Sequence, residues 1–222
     1  MTCRQLIIGL LLCGSGCYAN TVIVLFTGLP STVENGTYNG FAEATVNGIP
    51  AQLLICDDYS HTTYVPSSDL IYDYADFKGN ADSIQTARFI SDSGPTAMDV
   101  FKYEEASVLL YGLVHQASAP AAITDNQYAI WNLFTPSVQL FRPSQETLQA
   151  QALAAITSNA PYLSAAYTSL AIYTPFNGNG QQVDFSSNQE FLQYRPTPEP
   201  TGLMPLGAFL LVGLIHRKPR TA

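Results

Sequence analysis

Phe41-Ala-Glu-Ala-Thr-Val-Asn47-Gly48-Ile-Pro-Ala-Gln-Leu-Leu-Ile-Cys56 reads as two strands folded back on one another. Asn47-Gly48 supplies the two positive-φ positions that a tight type I′ turn needs. The stretch therefore predicts a hairpin of 41–46 and 49–56, with Cys56 at its end. Upstream, the β-branched and aliphatic run 21–26 predicts a further strand. Downstream, 59–95 is rich in turn residues and acids, with Tyr64, Tyr72, Tyr74 and Phe77 scattered through it, which predicts a long packed loop. Helical signals follow. Apolar residues recur along 101–114, with Glu104 and Glu105 near its start where the helix dipole favours them. A second helix is predicted over 124–134, with Thr124 as N-cap, Gln127 completing a capping box and Pro136 beyond its end. A third spans 144–158, and strands return at 168–174 and 190–194 around the loop Asn177-Gly-Asn-Gly180. The expected fold is α+β. A single domain carries two or three short α-helices on a mostly antiparallel β-sheet or sandwich, flanked by apolar terminal helices.

The chain has 222 residues, 47% hydrophobic and only 12% charged, about half the usual charged share. Low charge with ample apolar content excludes a disordered chain. A net charge of −8 excludes a reader of nucleic acid, which needs a basic face. The apolar residues gather at the two ends. Arg4, the run Leu6-Ile-Ile-Gly-Leu-Leu-Leu-Cys13 and the small residues Gly14-Ser-Gly-Cys-Tyr-Ala19 follow the order of a secretory signal, with cleavage after Ala19. Gly14 stands where a lipoprotein signal carries a large aliphatic residue, which argues against lipidation at Cys17. At the other end, Pro198-Glu199-Pro200 precedes an apolar run over 202–215 and the basic residues Arg217, Lys218 and Arg220. That run falls short of the ~20 residues that a spanning helix needs, and Pro205 interrupts it. The basic tail favours the cytoplasmic side. Physically this is a weak or transient anchor in the inner membrane.

These three C-terminal parts, in fixed order, resemble the PEP-CTERM sorting signal of exported bacterial proteins. The resemblance implies recognition by an exosortase, a membrane cysteine protease that cuts near Pro198-Glu199-Pro200. It also implies delivery to the cell surface or extracellular matrix of a Gram-negative bacterium. The expected organisation is a signal peptide over 1–19, an exported globular domain over 20–195 and the sorting signal over 196–222. Without residues 1–19 and 201–222, as cleavage just after Pro198-Glu199-Pro200 would leave it, the chain keeps five basic residues against all seventeen acidic ones, a net charge of −12. Such a domain is soluble and is repelled by anionic polysaccharide unless divalent ions bridge the two. Cys56 is then the only cysteine, so no internal disulfide can form in an oxidising compartment.

Two motifs carry chemistry: Leu53-Leu-Ile-Cys-Asp-Asp58, and Asn126-Gln-Tyr-Ala-Ile-Trp131 with the only tryptophan of the chain. Together they resemble the thioester domains (TQXA type) of bacterial surface adhesins. Cys56 matches the family's cysteine, Gln127 its glutamine, and Ala129, Ile130 and Trp131 the run that follows. The resemblance implies attack of the thiol on the glutamine amide with loss of ammonia, giving an internal thioester that awaits an amine on a partner. Such chemistry needs the two groups in near-attack contact, exclusion of water, and a polar group to move protons. Asp57, Asp58 and His61 are candidates for the proton-moving role.

Each residue also has an ordinary structural reading. Cys56 suits a small buried hydrophobe, Gln127 the capping box and Trp131 a core anchor. Cys56, Asp58 and His61 supply three ligand types but no second pair, and Asp69, Asp73 and Asp76 lack EF-hand spacing. No metal and no cofactor is therefore expected. No Gly-x-Ser-x-Gly or phosphate loop is present, while seventeen acids leave a carboxylate-pair hydrolase acting on polysaccharide open. The reading reached from sequence is an exported, surface- or matrix-associated structural or interaction protein, not an enzyme. Its expected partners are the export machinery, an exosortase-like protease and an exopolysaccharide or other surface component. The first alternative is a single-use covalent adhesin acting through Cys56 and Gln127, and the second is the hydrolase.

Overall fold

The computed structural model describes residues 21–28, 30, 32–34, 37–50, 54–60, 70–116, 119–177, 181–182 and 188–195. The apolar termini, the Pro198-Glu199-Pro200 motif, the basic tail, Asp69 and His61 lie outside the described residues.

The hairpin forms as read. Strand β4 (Phe41–Val46) turns at Asn47 and Gly48, with φ of 51° and 75°, into β5 (Ile49–Pro50). Farther on, β6 (Leu54–Cys56) pairs with β4 again. β1 (Thr21–Gly28) lies antiparallel to β4, with Val24 opposite Val46 and Phe26 opposite Ala44. A small two-stranded ribbon of β2 (Thr32–Glu34) and β3 (Thr37–Asn39) separates β1 from β4.

The stretch 59–95 is not a loop throughout. It contains β7 (Leu70–Asp76) and a 3₁₀ turn at Ala81–Ile84. β7 pairs with β1 on one side and with β8 (Leu170–Asn177) on the other. β8 in turn pairs with the short β9 (Gln181–Gln182) and with β10 (Phe191–Tyr194), and β10 pairs with β6. The order β1-β7-β8-β10-β6-β4 thus returns to β1, and every pairing is antiparallel. The sheet is antiparallel as expected, but it is a six-stranded closed barrel rather than an open sheet or a sandwich. Closure satisfies the backbone groups that open edges would expose.

Alternation along the strands separates two cores. Leu54 and Cys56, Ala171 and Tyr173, and Phe191 fill the barrel with Val24, Phe26, Ala42, Ala44 and Tyr72. Phe26 meets Phe191 at 4.6 Å between ring centroids. Ile55, Ile172 and Leu192 face the other way, beneath the helices. Among the described residues there are four α-helices where the sequence predicts two or three short ones: α1 (Ala97–Gln116), α2 (Pro120–Phe134), α3 (Pro143–Thr157) and α4 (Leu163–Thr168). The strand expected over 168–174 divides into the end of α4 and the start of β8. α1 opens with a reciprocal cap, the Thr96 N–H donating to Asp99 Oδ2 at 2.9 Å and the Asp99 N–H to Thr96 Oγ1 at 3.2 Å. α2 begins at Pro120, four residues before Thr124, because proline suits the first helical position. Thr124 is therefore inside the helix and not its cap, and its hydroxyl donates to Pro120 O at 3.3 Å. Among the described residues, no helix is long and apolar enough to cross a membrane.

Candidate functional site

With the helix start at Pro120, the capping-box role of Gln127 disappears and its side chain serves another use. Gln127 is only 1% exposed. Its Nε2 donates to the backbone carbonyl of Cys56, and its Oε1 accepts from the Gly40 N–H at 3.3 Å. The amide is clamped between the end of β6 and the bend before β4. Gly40 has φ 108°, a conformation a side chain would strain, and that conformation aims its N–H at Gln127. Cys56 and Gln127, 71 residues apart in the chain, are thereby brought together.

The thiol of Cys56 points into the end of the barrel. Its Sγ donates to Asp58 O at 3.0 Å and accepts from the Asp58 N–H at 3.2 Å. Burial, and after it the neighbouring Asp57 and Asp58 carboxyls when ionised, push the thiol well above its ordinary value. It is held as SH, so a nucleophilic role requires transfer of its proton. Trp131, one helical turn after Gln127, packs beside the thiol. It is 2% exposed and meets Tyr59 at 5.1 Å and Tyr128 at 5.3 Å. The indole Nε1 makes no hydrogen bond of ordinary geometry among the described residues. Its N–H faces the sulfur, where it opposes part of the upward push on the thiol. Trp131 is thus the expected core anchor and also a neighbour of the thiol.

The three candidate proton-moving residues separate. Asp58 is structural: its Oδ2 is paired with the Arg88 guanidinium, both side chains buried, and its Oδ1 accepts from the Ser60 N–H at 3.1 Å. Asp57 is fully buried beside Glu190, and burial followed by that neighbouring carboxyl raises it well above the usual carboxylate range. His61 lies outside the described residues, so the Cys56, Asp58 and His61 combination does too. Asp73 lies on β7 opposite Thr174, and Asp76 pairs with Arg195 at 3.7 Å. Among the described residues, no group of three or more side chains is arranged to hold a metal ion.

Sequence reading misses Glu190, Tyr103, Arg88 and Gly40. None of these four carries a local signal in the sequence, and Thr124-Asp-Asn-Gln127, a polar run within α2, is buried at all four positions. A cleft of about 420 Å³ between α1, α2 and α3 contains Asp125 but neither Cys56 nor Gln127. That carboxylate is already bonded by Arg142, Ser144 and Gln145, so the cleft offers no free acid pair for sugar cleavage.

No family model matches the chain, and no curated protein matches it. Among solved structures, the N-terminal thioester domain of fibronectin-binding protein SfbI from Streptococcus pyogenes is similar. The identity is 16% over 80% of this chain and 94% of that one, with a TM-score of 0.42. The N-terminal domain of the Streptococcus pyogenes pilus tip adhesin Cpa is similar at 14% identity, over 83% of this chain and 97% of that one, with a TM-score of 0.44.

Proposed function

We propose that the chain is an exported surface adhesin that forms an internal thioester between Cys56 and Gln127 and uses it once, on an amine of its partner. The observation that carries this reading is the buried Gln127 side-chain amide hydrogen-bonded to the Cys56 backbone carbonyl, with Trp131 buried beside them. In the forming step the Cys56 sulfur bonds to the Gln127 side-chain carbonyl carbon and the C–N bond breaks. The thiol proton leaves on the amide nitrogen as ammonia. In the capturing step a partner amine attacks that carbon, the S–C bond breaks, and the sulfur regains a proton. Proximity supplies much of the acceleration, since both groups are fixed by elements of the fold before reaction. Export and sorting belong to the same proposal. The mature domain acts at the cell surface or in the matrix after an exosortase-like protease has cut near Pro198-Glu199-Pro200.

Intact mass of the purified protein tests the thioester. The expected mass is one ammonia below the sequence value, and Cys56→Ala should restore the full value. A second reading, a non-covalent surface protein, is favoured by one contact: the Cys56 thiol hydrogen-bonds to Asp58 O. An unmodified mass with a freely alkylated Cys56 decides for that reading. For sorting, changing Pro198-Glu199-Pro200 to alanines should trap an unprocessed form in the membrane, and normal processing would count against the assignment.

A further inference from the structure

Next to Cys56 lies a polar cluster that the thioester chemistry does not itself use. Asp57 and Glu190 are both 0% exposed. Glu190 accepts three hydrogen bonds: from Tyr103 Oη at 2.6 Å, the Arg88 N–H at 2.7 Å and Thr174 Oγ1 at 2.5 Å. Neither oxygen of Asp57 has a hydrogen bond of ordinary geometry among the described residues. A carboxylate served by three donors is the charged member of such a pair, and its unserved neighbour is the neutral one. Two ionised carboxyls side by side in a dry site repel strongly.

We propose that Asp57 and Glu190 share a single proton, and that this proton keeps the Cys56 end of β6 seated on β10 and therefore against Gln127. Asp57 is in this reading a positioning residue. The inference rests on the thioester reading for its consequence, not for its geometry. Further bonds run between the same two elements: the Asp57 N–H to Glu190 O at 3.4 Å, and Gln189 Nε2 to Asp58 O at 2.9 Å. The titratable and charged groups facing Asp57 are Cys56 and Asp58 on its own segment, Glu190 before β10, Tyr103 on α1 and Arg88 in the preceding loop. Desolvation holds Asp57 protonated well above the usual range, with Glu190 the next largest cause. Below its raised value the strand end is locked. As pH rises through that value the proton is lost, the pair repels, and the end of β6 loosens.

The test uses a chain that cannot form the thioester, Gln127→Ala, with and without Asp57→Asn, and follows alkylation of Cys56 by iodoacetamide from pH 6 to 9. The introduced amide is neutral at every pH and can donate to Glu190, so it should keep the end closed. In the titrating range alkylation should lag in the Asp57→Asn chain by up to about tenfold for each pH unit. If the charge of Asp57 merely raised the thiol, Asp57→Asn would make the thiol more acidic and alkylation faster, and that result overturns the proposal. Equal rates overturn it as well. In the chain that keeps Gln127, Asp57→Asn should shift loss of the thioester to higher pH. Absence of the ammonia loss there defeats the adhesin reading alone, because the alkylation measurement still judges the shared proton.

Discussion

Replacing Arg88 by methionine gives a quantitative test of what holds the Cys56 strand end. The Arg88 and Asp58 side chains are 5% and 0% exposed, so water cannot take the place of the guanidinium when it is removed. An uncompensated buried charge of this kind costs about 3–5 kcal/mol, whereas a surface pair is worth about 1 kcal/mol or less. The backbone N–H of Arg88, which donates to Glu190, survives the substitution, so the measurement isolates the side chain. Urea unfolding of Arg88→Met should show a lower midpoint at unchanged slope, with a loss of about 3–5 kcal/mol. Adding Asp58→Asn removes the stranded charge while keeping an acceptor for the Ser60 N–H, and should recover more than half of the loss. A single-mutant loss below about 1 kcal/mol, or no recovery in the double mutant, would refute the reasoning that this is a buried, mutually dependent pair.

Trp131→Ala should destabilise the domain by about 3–5 kcal/mol, the cost of an emptied aromatic site. It should also shorten the lifetime of the thioester in water, measured as the gain of one water that leaves a carboxyl in place of the Gln127 amide. A normal lifetime would show that the indole does not shield the bond. Asp99 carries a pH prediction of opposite sign to Asp57. Burial pushes it up, but hydrogen bonds from Thr96, a further one from Ser91 and the charge of Lys102 outweigh that and leave it below the ordinary carboxylate value. Its contribution is therefore present above about pH 4 and is lost as pH falls through the lowered folded value. Asp99→Ala should cost about 1 kcal/mol at neutral pH, as a lost cap does, and less in acid, as followed by thermal unfolding between pH 2 and 7.

What can be read ahead of the structure is what is written locally. Asn47-Gly48 specifies its own turn, and Cys56 and Gln127 stand out because each is followed by a short, unusual run. β7 reads as loop because Leu-Ile-Tyr-Asp-Tyr-Ala-Asp76 mixes tyrosines and acids. In the fold Tyr72 turns into the barrel while its neighbour Ile71 is exposed, a half-buried alternation that composition conceals. The capping pattern of Thr124 with Gln127 is real as a pattern and draws the start of α2 inward, but Pro120 is the stronger start. Barrel closure is not legible, since it depends on β1 meeting both β4 and β7. The Asp57–Glu190 pair is invisible for a similar reason. Each is an ordinary acid by itself, and only the β6–β10 pairing makes them neighbours.

The 71-residue separation of Cys56 and Gln127 has a mechanical consequence. If the proposed thioester forms, it staples a barrel strand to the helical layer and closes a large ring in the unfolded chain. By the loop-entropy relation such a staple is worth roughly 4 kcal/mol. When an amine takes the acyl group, the ring opens and that restraint vanishes while the partner becomes tethered to α2 alone. Capture and loosening would thus be one event, and the load of a held partner would run through the helix rather than through the barrel.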